Sequence, residues 1–438
     1  MRLDIRNRIE NIRNKNIPIG YKKVVRFIIP NTWEFIKIGK IAKQVSDLNN
    51  ENKNYNVLSC TKYDGLVDSL RYFKKQIFSN DLNKYKKAHY NYFAYATNHI
   101  DEGSIGLQEL YDVGLVSPMY TVFKTKEVVN KYLYALLKTE NYRRIYKTMM
   151  SASVDRRGSL RWKDFSKIRI PFPPYHEQQK IAEILSKCDK VIELREKLIE
   201  QKKLQKKYLM QALLDPKSPN FRRLTGFKDE WKEVKLGSLG KTYGGLNGKN
   251  KNDFGTGKPY IPYVNIFNNP IINVNSFEYV EIGKNENQNR VKSGDVFFTT
   301  SSETPEEVGM SSVVLENVDE LYLNSFCFGF RLYDFSKLNP NFAVYFFRSK
   351  IFRKILNKLA QGSTRFNLSK NNMMKTNIIL PTIKEQTAIA KILFTADKET
   401  NLLEKELEQQ KLKKKALMQL LLTGKVRVNV SQINIERR

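Results

Sequence analysis

A block of about forty residues occurs twice in this chain, and that duplication constrains the fold more than any other feature of the sequence. The first copy is Pro173–Leu214 and the second Pro381–Leu422. Glu177-Gln178 falls on Glu385-Gln386, and the offset of 208 residues then runs without a gap to Leu214 and Leu422, with about half the positions identical. Each copy is preceded by a short apolar run that ends at a proline, Ile168–Phe172 in the first and Asn377–Pro381 in the second. Such a run reads as an edge or terminal strand, because proline cannot donate to a strand ladder.

Each copy also reads as one long helix. Neither contains Gly or Pro between the Glu-Gln pair and the terminal leucines, and the apolar positions recur at intervals of three and four. These are Ile181, Ile184, Leu185, Cys188, Ile192 and Ile199, and then Ile389, Ile392, Leu393, Ala396, Leu403 and Leu407. Asp215-Pro216 stops the first helix and Thr423-Gly424 the second. At 1.5 Å per residue each would be on the order of 50–60 Å long. A helix of that length with one apolar stripe needs a partner, and the other copy is the obvious one, in a two-helix coiled coil.

The remaining segments, 1–164 and 225–372, carry short β-rich runs such as Asn91–Ala96 and Asp295–Thr300, broken by Gly, Asn and Asp loops. They echo each other faintly. Trp33, Lys37 and Gly39 parallel Trp231, Lys235 and Gly237, and Gly158–Arg161 parallels Gly362–Arg365. The expected fold class is therefore α+β: two globular α/β domains separated by two long antiparallel coiled-coil helices in a pseudo-twofold repeat. The expected boundaries are 1–172 for the first domain (its core starting near 30), 173–214 for the first helix, 215–380 for the second domain, 381–424 for the second helix and 425–438 for a tail.

The chain has 438 residues with 76 Lys and Arg against 45 Asp and Glu, a formal net charge of +31. With 41% apolar and 12% aromatic residues it is a folded protein with a positive field, so nucleic acid is the first partner to consider. The helices are nearly neutral; the globular segments carry the excess, +16 over residues 1–176 and +8 over 215–384. The Lys/Glu mixture on the helices reads as a solvated coiled-coil face. Three dispersed cysteines argue against a secreted disulfide framework, and no Cys or His pair has zinc-ligand spacing. No stretch has the length of an apolar membrane span, and a cytoplasmic location is expected.

Catalytic motifs are missing. His89, His99 and His176 lack metal-ligand or triad companions nearby in sequence. Phe172-Pro173-Pro174-Tyr175 resembles the Pro-Pro-Tyr loop of adenine methyltransferases, but Phe172 stands where an Asn or Asp should be, and a strand end is the better reading. The glycine-rich stretch Gly244–Gly257 either cradles a phosphate or is a flexible loop; it lacks the spacing of a nucleotide-binding P-loop.

The pattern resembles the DNA-specificity subunits of type I restriction–modification enzymes. The paired Pro-x-x-x-Glu-Gln-x-x-Ile-Ala-x-Ile-Leu helices carry the resemblance, with the Trp-x-x-x-Lys-x-Gly openings at Trp33 and Trp231. Gly294–Thr299, Tyr92–Tyr95 and Gly103–Gly106 add to it. It implies a chain that is non-catalytic by itself. Two target-recognition domains would each read one half of a split double-stranded DNA site, held apart by the helices. Two methyltransferase subunits would dock on the helices, with restriction–translocase subunits completing the complex. No cofactor is expected in this chain; S-adenosylmethionine, ATP and Mg would belong to the partners. The candidate DNA contacts are Arg156, Arg157 and Arg161, then Arg365, Asn367 and Lys370, then Lys249, Lys251 and Lys258. Thr300–Thr304 ranks lower because Glu306 and Glu307 follow it. The candidate docking residues are Glu177, Gln178, Ile181, Glu385, Gln386 and Ile389. The rivals are a stand-alone DNA-binding protein and a coiled-coil or RNA-binding scaffold.

Overall fold

The computed structural model describes residues 3–25, 27–51, 53–151 and 158–428. The chain divides into two compact units, one formed by Met1–Arg195 with Glu406–Arg438 and the other by Glu196–Lys405. The first unit is thus assembled from both ends of the chain, and the second is continuous.

In the first unit, β1 (Glu34–Lys37) leads through a 3-10 turn into β2 (Ala42–Val45); β3 (Phe93–Ala96), β4 (Ile105–Leu107), β5 (Tyr120–Thr125) and β6 (Arg169–Phe172) follow. A four-stranded sheet has the order β2-β5-β3-β4, and β6 pairs antiparallel with β1. Helices Asn130–Leu137 and Glu140–Ser151 and the turn of helix Trp162–Phe165 lie between β5 and β6 in sequence. Alternating aromatic positions on neighbouring strands fill the core: Phe93 stacks on Phe123 at 4.9 Å, and Tyr95 on Phe165 at 4.7 Å.

The second unit repeats this plan. Its strands are β7 (Lys232–Lys235), β8 (Gly240–Gly244), β9 (Val296–Thr299), β10 (Ser311–Val313), β11 (Cys327–Leu332) and β12 (Asn377–Leu380). The sheet order β8-β11-β9-β10 matches that of the first unit, and β12 pairs with β7 as β6 does with β1. Helices Pro340–Phe346, Lys350–Leu359 and Lys370–Met374 complete the match.

The two long helices are Tyr175–Leu214 and Ile383–Leu421. Within the first unit Ile181 and Leu185 share a core with Leu421 and Leu422, and Asp189 and Arg195 pair with Lys414 and Glu406. Within the second, Ile389 and Leu393 share a core with Leu213 and Leu214. There Lys202 and Lys203 pair with Glu399 and Glu404, both at 2.7 Å, and Lys206 with Asp397. Ascending numbers on one helix meet descending numbers on the other, so the packing is antiparallel in both units. Many helix charges expected to be merely solvated are therefore cross-helix pairs, each contributing about 0–1 kcal/mol. No described helix is long and apolar enough to cross a membrane.

The aligned structures correct one register. Leu160 donates its amide to the Thr97 carbonyl and Leu368 to that of Thr300, both at 2.8 Å. Leu160 thus corresponds to Leu368, the same 208-residue offset as in the helices. Gly158–Arg161 and Gly362–Arg365 are four residues out of register, and the equivalent of Arg161 is Ser369, each at the N-cap of its short helix.

Candidate nucleic-acid interface

A cleft of the second unit has a volume of about 550 Å³ and gathers side chains from three segments. Helix Tyr263–Asn268 supplies Tyr263 and Phe267, whose rings stack at 5.9 Å. Ser301, Ser302, Glu303 and Glu307 come from the segment leaving β9, and Thr364 and Arg365 from the hairpin before Phe366–Leu368. That hairpin closes where Ala360 and Gln361 pair with Leu368 and Asn367, and Ser301 and Ser302 pair in turn with Asn367 and Phe366. Gly362 sits at φ +133°, where a Cβ would lie 2.1 Å from the Arg365 carbonyl, so the turn requires glycine.

Two half-buried arginines hold the walls. Arg348 donates to the carbonyls of Ile266, Phe267, Asn269 and Ser311 at 2.6–3.0 Å, fixing the end of the aromatic helix. Arg353 donates to those of Glu306, Val308 and Gly309 at 2.6–2.8 Å, fixing the acidic segment. Burial pulls both guanidinium groups down to about 10. The Tyr263 hydroxyl donates to the Ser301 carbonyl at 3.0 Å, and the Ser302 hydroxyl to Glu307 at 3.1 Å. The cleft thus presents an exposed guanidinium, hydroxyls and carboxylate acceptors beside an aromatic wall. These groups suit base edges: Arg for guanine, carboxylate for the cytosine amino group, hydroxyl for either.

The expected contact residues have different fates. Arg365 and Asn367 are exposed on the hairpin, with the Asn367 side-chain amide 3.3 Å from the Arg365 carbonyl. Lys370 is half-buried over the Phe328 ring. Arg161 is exposed beside Trp162, whereas Arg156 and Arg157 lie outside the described residues. Lys249 is spent inside the fold, held by Glu286 and the Glu281 carbonyl, both at 2.5 Å. Lys258 pairs with Glu320, while Lys251 is exposed in a turn of 3-10 helix. The glycine-rich stretch is packed at Gly245, where a Cβ would meet the Asn324 carbonyl at 2.0 Å, and at Gly257, at the bulge of a strand, Phe254–Ile261, while Gly248 and Gly255 face open space.

The docking expectation for the Glu-Gln pairs needs correction. Glu177, Gln178, Ile181, Glu385, Gln386 and Ile389 are all at most 1% exposed, so they present no surface to a partner. Gln178 accepts from the Val129 amide and donates to the Pro173 carbonyl. Gln386 does the same with Asn339 and Pro381. Each glutamine pins the start of a long helix to its own domain. Glu177 takes the Trp33 indole N–H at 3.1 Å and an ion pair from Arg427; Glu385 takes Arg223 through both oxygens at 3.0–3.2 Å.

The sequence reading missed the aromatic wall and demoted the serine and glutamate segment. Carrying the 208-residue offset back past the helices would have paired Leu160 with Leu368, but the bond from Leu368 to the Thr300 carbonyl, which draws that segment to Arg365, joins residues that no local pattern links.

Comparison with known proteins agrees with the duplicated plan. The model of the type I restriction modification DNA specificity domain matches twice, over residues 30–203 and 228–414. The specificity subunit of the type I restriction enzyme MjaVIII from Methanocaldococcus jannaschii is 25% identical over 429 residues, covering 93% of this chain and 96% of that protein. The crystal structure of the HsdS subunit from Thermoanaerobacter tengcongensis superposes with a TM-score of 0.50 at 16% identity, over 91% of this chain and 98% of that one. A chain from a structural study of type I restriction–modification complex assembly gives 0.56 at 14% identity, over 91% and 99%. With both domain matches covering most of its length, the chain belongs to the DNA-specificity subunit family of type I restriction–modification systems, whose role is to recognise DNA sequence.

Proposed function

We propose that the two units read the two halves of one split duplex site and that the chain itself performs no bond chemistry. The observation that carries this reading is a fold repeated in strand order whose presented side chains are not repeated. The Arg365 cleft has Tyr263, Glu303 and Glu307 in its walls, whereas Arg161 of the first unit stands where the second has Ser369. Different side chains on one frame read different bases. S-adenosylmethionine, ATP and Mg are assigned to partner subunits, and the whole complex to the cytoplasm.

The helices supply a docking surface other than the Glu-Gln pairs. Val191, Leu194 and Leu412 in the first unit are 44–57% exposed. Leu198, Leu204, Tyr208, Phe394 and Leu402 in the second are 38–59% exposed. A stand-alone protein would cover these positions, so they favour methyltransferase subunits, one on each unit. Native mass spectrometry of the assembled complex should show two methyltransferase subunits per chain; a stable 1:1 complex with no higher form counts against it. The reading of DNA is tested by exchanging residues 225–372 for the matching segment of a relative and sequencing modified adenines. One half-site should change and the other persist; a simultaneous change in both ends the two-reader model.

A further inference from the structure

A second cleft, of about 550 Å³, lies wholly within the first unit and is lined by Lys40, Lys43, Lys124 and Lys126 around Trp162, with Gly39 and Ser166 at its edge. All four lysines are exposed and Trp162 is half-buried, its ring 5.4 Å from that of Phe123. Lys43 and Lys124 are directly opposed on β2 and β5. Like charges in that position destabilise a sheet unless something neutralises them. None of the described ion pairs involves any of the four.

The second unit shows how the same pair is neutralised from within. There Lys241 of β8 opposes Arg331 of β11 at the equivalent register. Arg331 is held by Asp295, 2% exposed, through bonds of 2.6 and 2.9 Å, and lies over the Tyr243 ring at 4.8 Å. Phe93 pairs with Phe123 in the first unit and Val296 with Phe330 in the second, so the position of Asp295 is taken by Tyr92. The first unit retains the basic pair without the internal carboxylate.

We infer that this cleft binds the phosphodiester backbone of DNA, a sequence-independent contact made by the first unit alone. The inference rests on the DNA-recognition reading and adds a site to it. Besides the lysines its polar side chains are the hydroxyls of Thr125 and Ser166, with none of the planar Arg, Asn or Gln forks that pair two-pronged with a base edge. Lysines act instead as point charges toward phosphate. An acidic protein surface is the competing occupant.

The test uses the full chain in its assembled complex, with a Lys43→Gln/Lys124→Gln double variant and a Tyr92→Asp variant that imports the carboxylate of the second unit. Removing the opposed lysines relieves repulsion, so the double variant should fold, as a thermal melt will show. Each protein is titrated over a range of salt with a duplex carrying its site and with an unrelated duplex. For the double variant the slope of log Kd against log salt should fall by about two, and both duplexes should weaken by the same factor. Tyr92→Asp should lower the slope in the same direction. An unchanged slope, alone or with loss of an acidic protein partner, overturns the site, and so does a change confined to the cognate duplex. A wild-type complex with no sequence preference would sink the recognition reading instead, while a fallen slope would still stand for the cleft.

Discussion

The first turns of the two long helices pose one electrostatic problem and solve it by different means. Glu177 and Glu385 are equally buried, and a buried carboxylate without a partner costs several kcal/mol. In the second unit Arg223 arrives from the segment that follows the first long helix; in the first unit Arg427 arrives from the segment that follows the second. The sequence duplication has ended before either arginine, at Leu214 and Leu422, and the two segments differ in length and composition. What is retained is the need for a cation at a fixed place, not the residues that bring it. The tryptophans make the same point. Trp33 is fully buried with its indole N–H on Glu177, whereas the buried indole N–H of Trp231 has no hydrogen-bond partner among the described residues and its ring meets Phe221 edge-on.

That comparison can be broken most sharply at the arginines. Arg223→Ala leaves Glu385 buried without its cation and should be the more destabilising of the two arginine changes. Arg427→Ala should cost about 1–3 kcal/mol, because Trp33 still donates to Glu177. Calorimetry on both variants checks the order; equal losses would mean the indole bond contributes nothing. Next in size is Arg365→Ala. If Arg365 reads a base, discrimination at one position of one half-site should fall by about 1–3 kcal/mol, measured by competition with single-base variants of the duplex. A uniform weakening across all variants would make it a phosphate contact. Trp33→Phe should be about 1.5 kcal/mol more destabilising than Trp231→Phe, since only the first loses a bond to a charged acceptor. A larger loss from Trp231→Phe would reverse the contrast.

The smallest effect is in acid. The hydrogen bond from Lys249, with those from Gln288 and the Gly283 amide, holds the Glu286 carboxyl down to about 2, against 4.5 in an unstructured chain. A depressed carboxyl contributes its stability above 4.5 and loses it as pH falls toward 2. Melting temperature should therefore drop more steeply over that window in the wild type than in Lys249→Met. Parallel curves would show that the pair carries no linkage.

The long helices were legible because their code is local: a three-to-four spacing, no Gly or Pro, and stop signals at Asp215-Pro216 and Thr423-Gly424. The duplicated sheet was legible only as an echo, since strands two residues in period tolerate wide substitution on a fixed frame. Charge was misread where its partner is distant in sequence. Nothing near Lys249 announces Glu286, and nothing near Glu177 announces Arg427, 250 residues away. The cleft around Arg365 was partly visible through Arg365 itself. Its aromatic wall stayed hidden because Tyr263 and Phe267 reach it through a helix a hundred residues upstream.

The first unit's core contains Leu421 and Leu422, and its buried glutamate is neutralised by Arg427, so the unit begun first is completed by residues made after the whole of Glu196–Lys405. On the ribosome the order of completion is then inverted. Glu196–Lys405 has all its residues once the second helix is half synthesised, while the unit begun first waits with Ile181 and Leu185 uncovered until Leu421 and Leu422 follow. A chain stopped at Met418 lacks Leu421, Leu422 and Arg427 and should keep the second unit intact while the first is damaged. The fold of the unit begun first thereby depends on Leu421, Leu422 and Arg427 being made, long after its own strands.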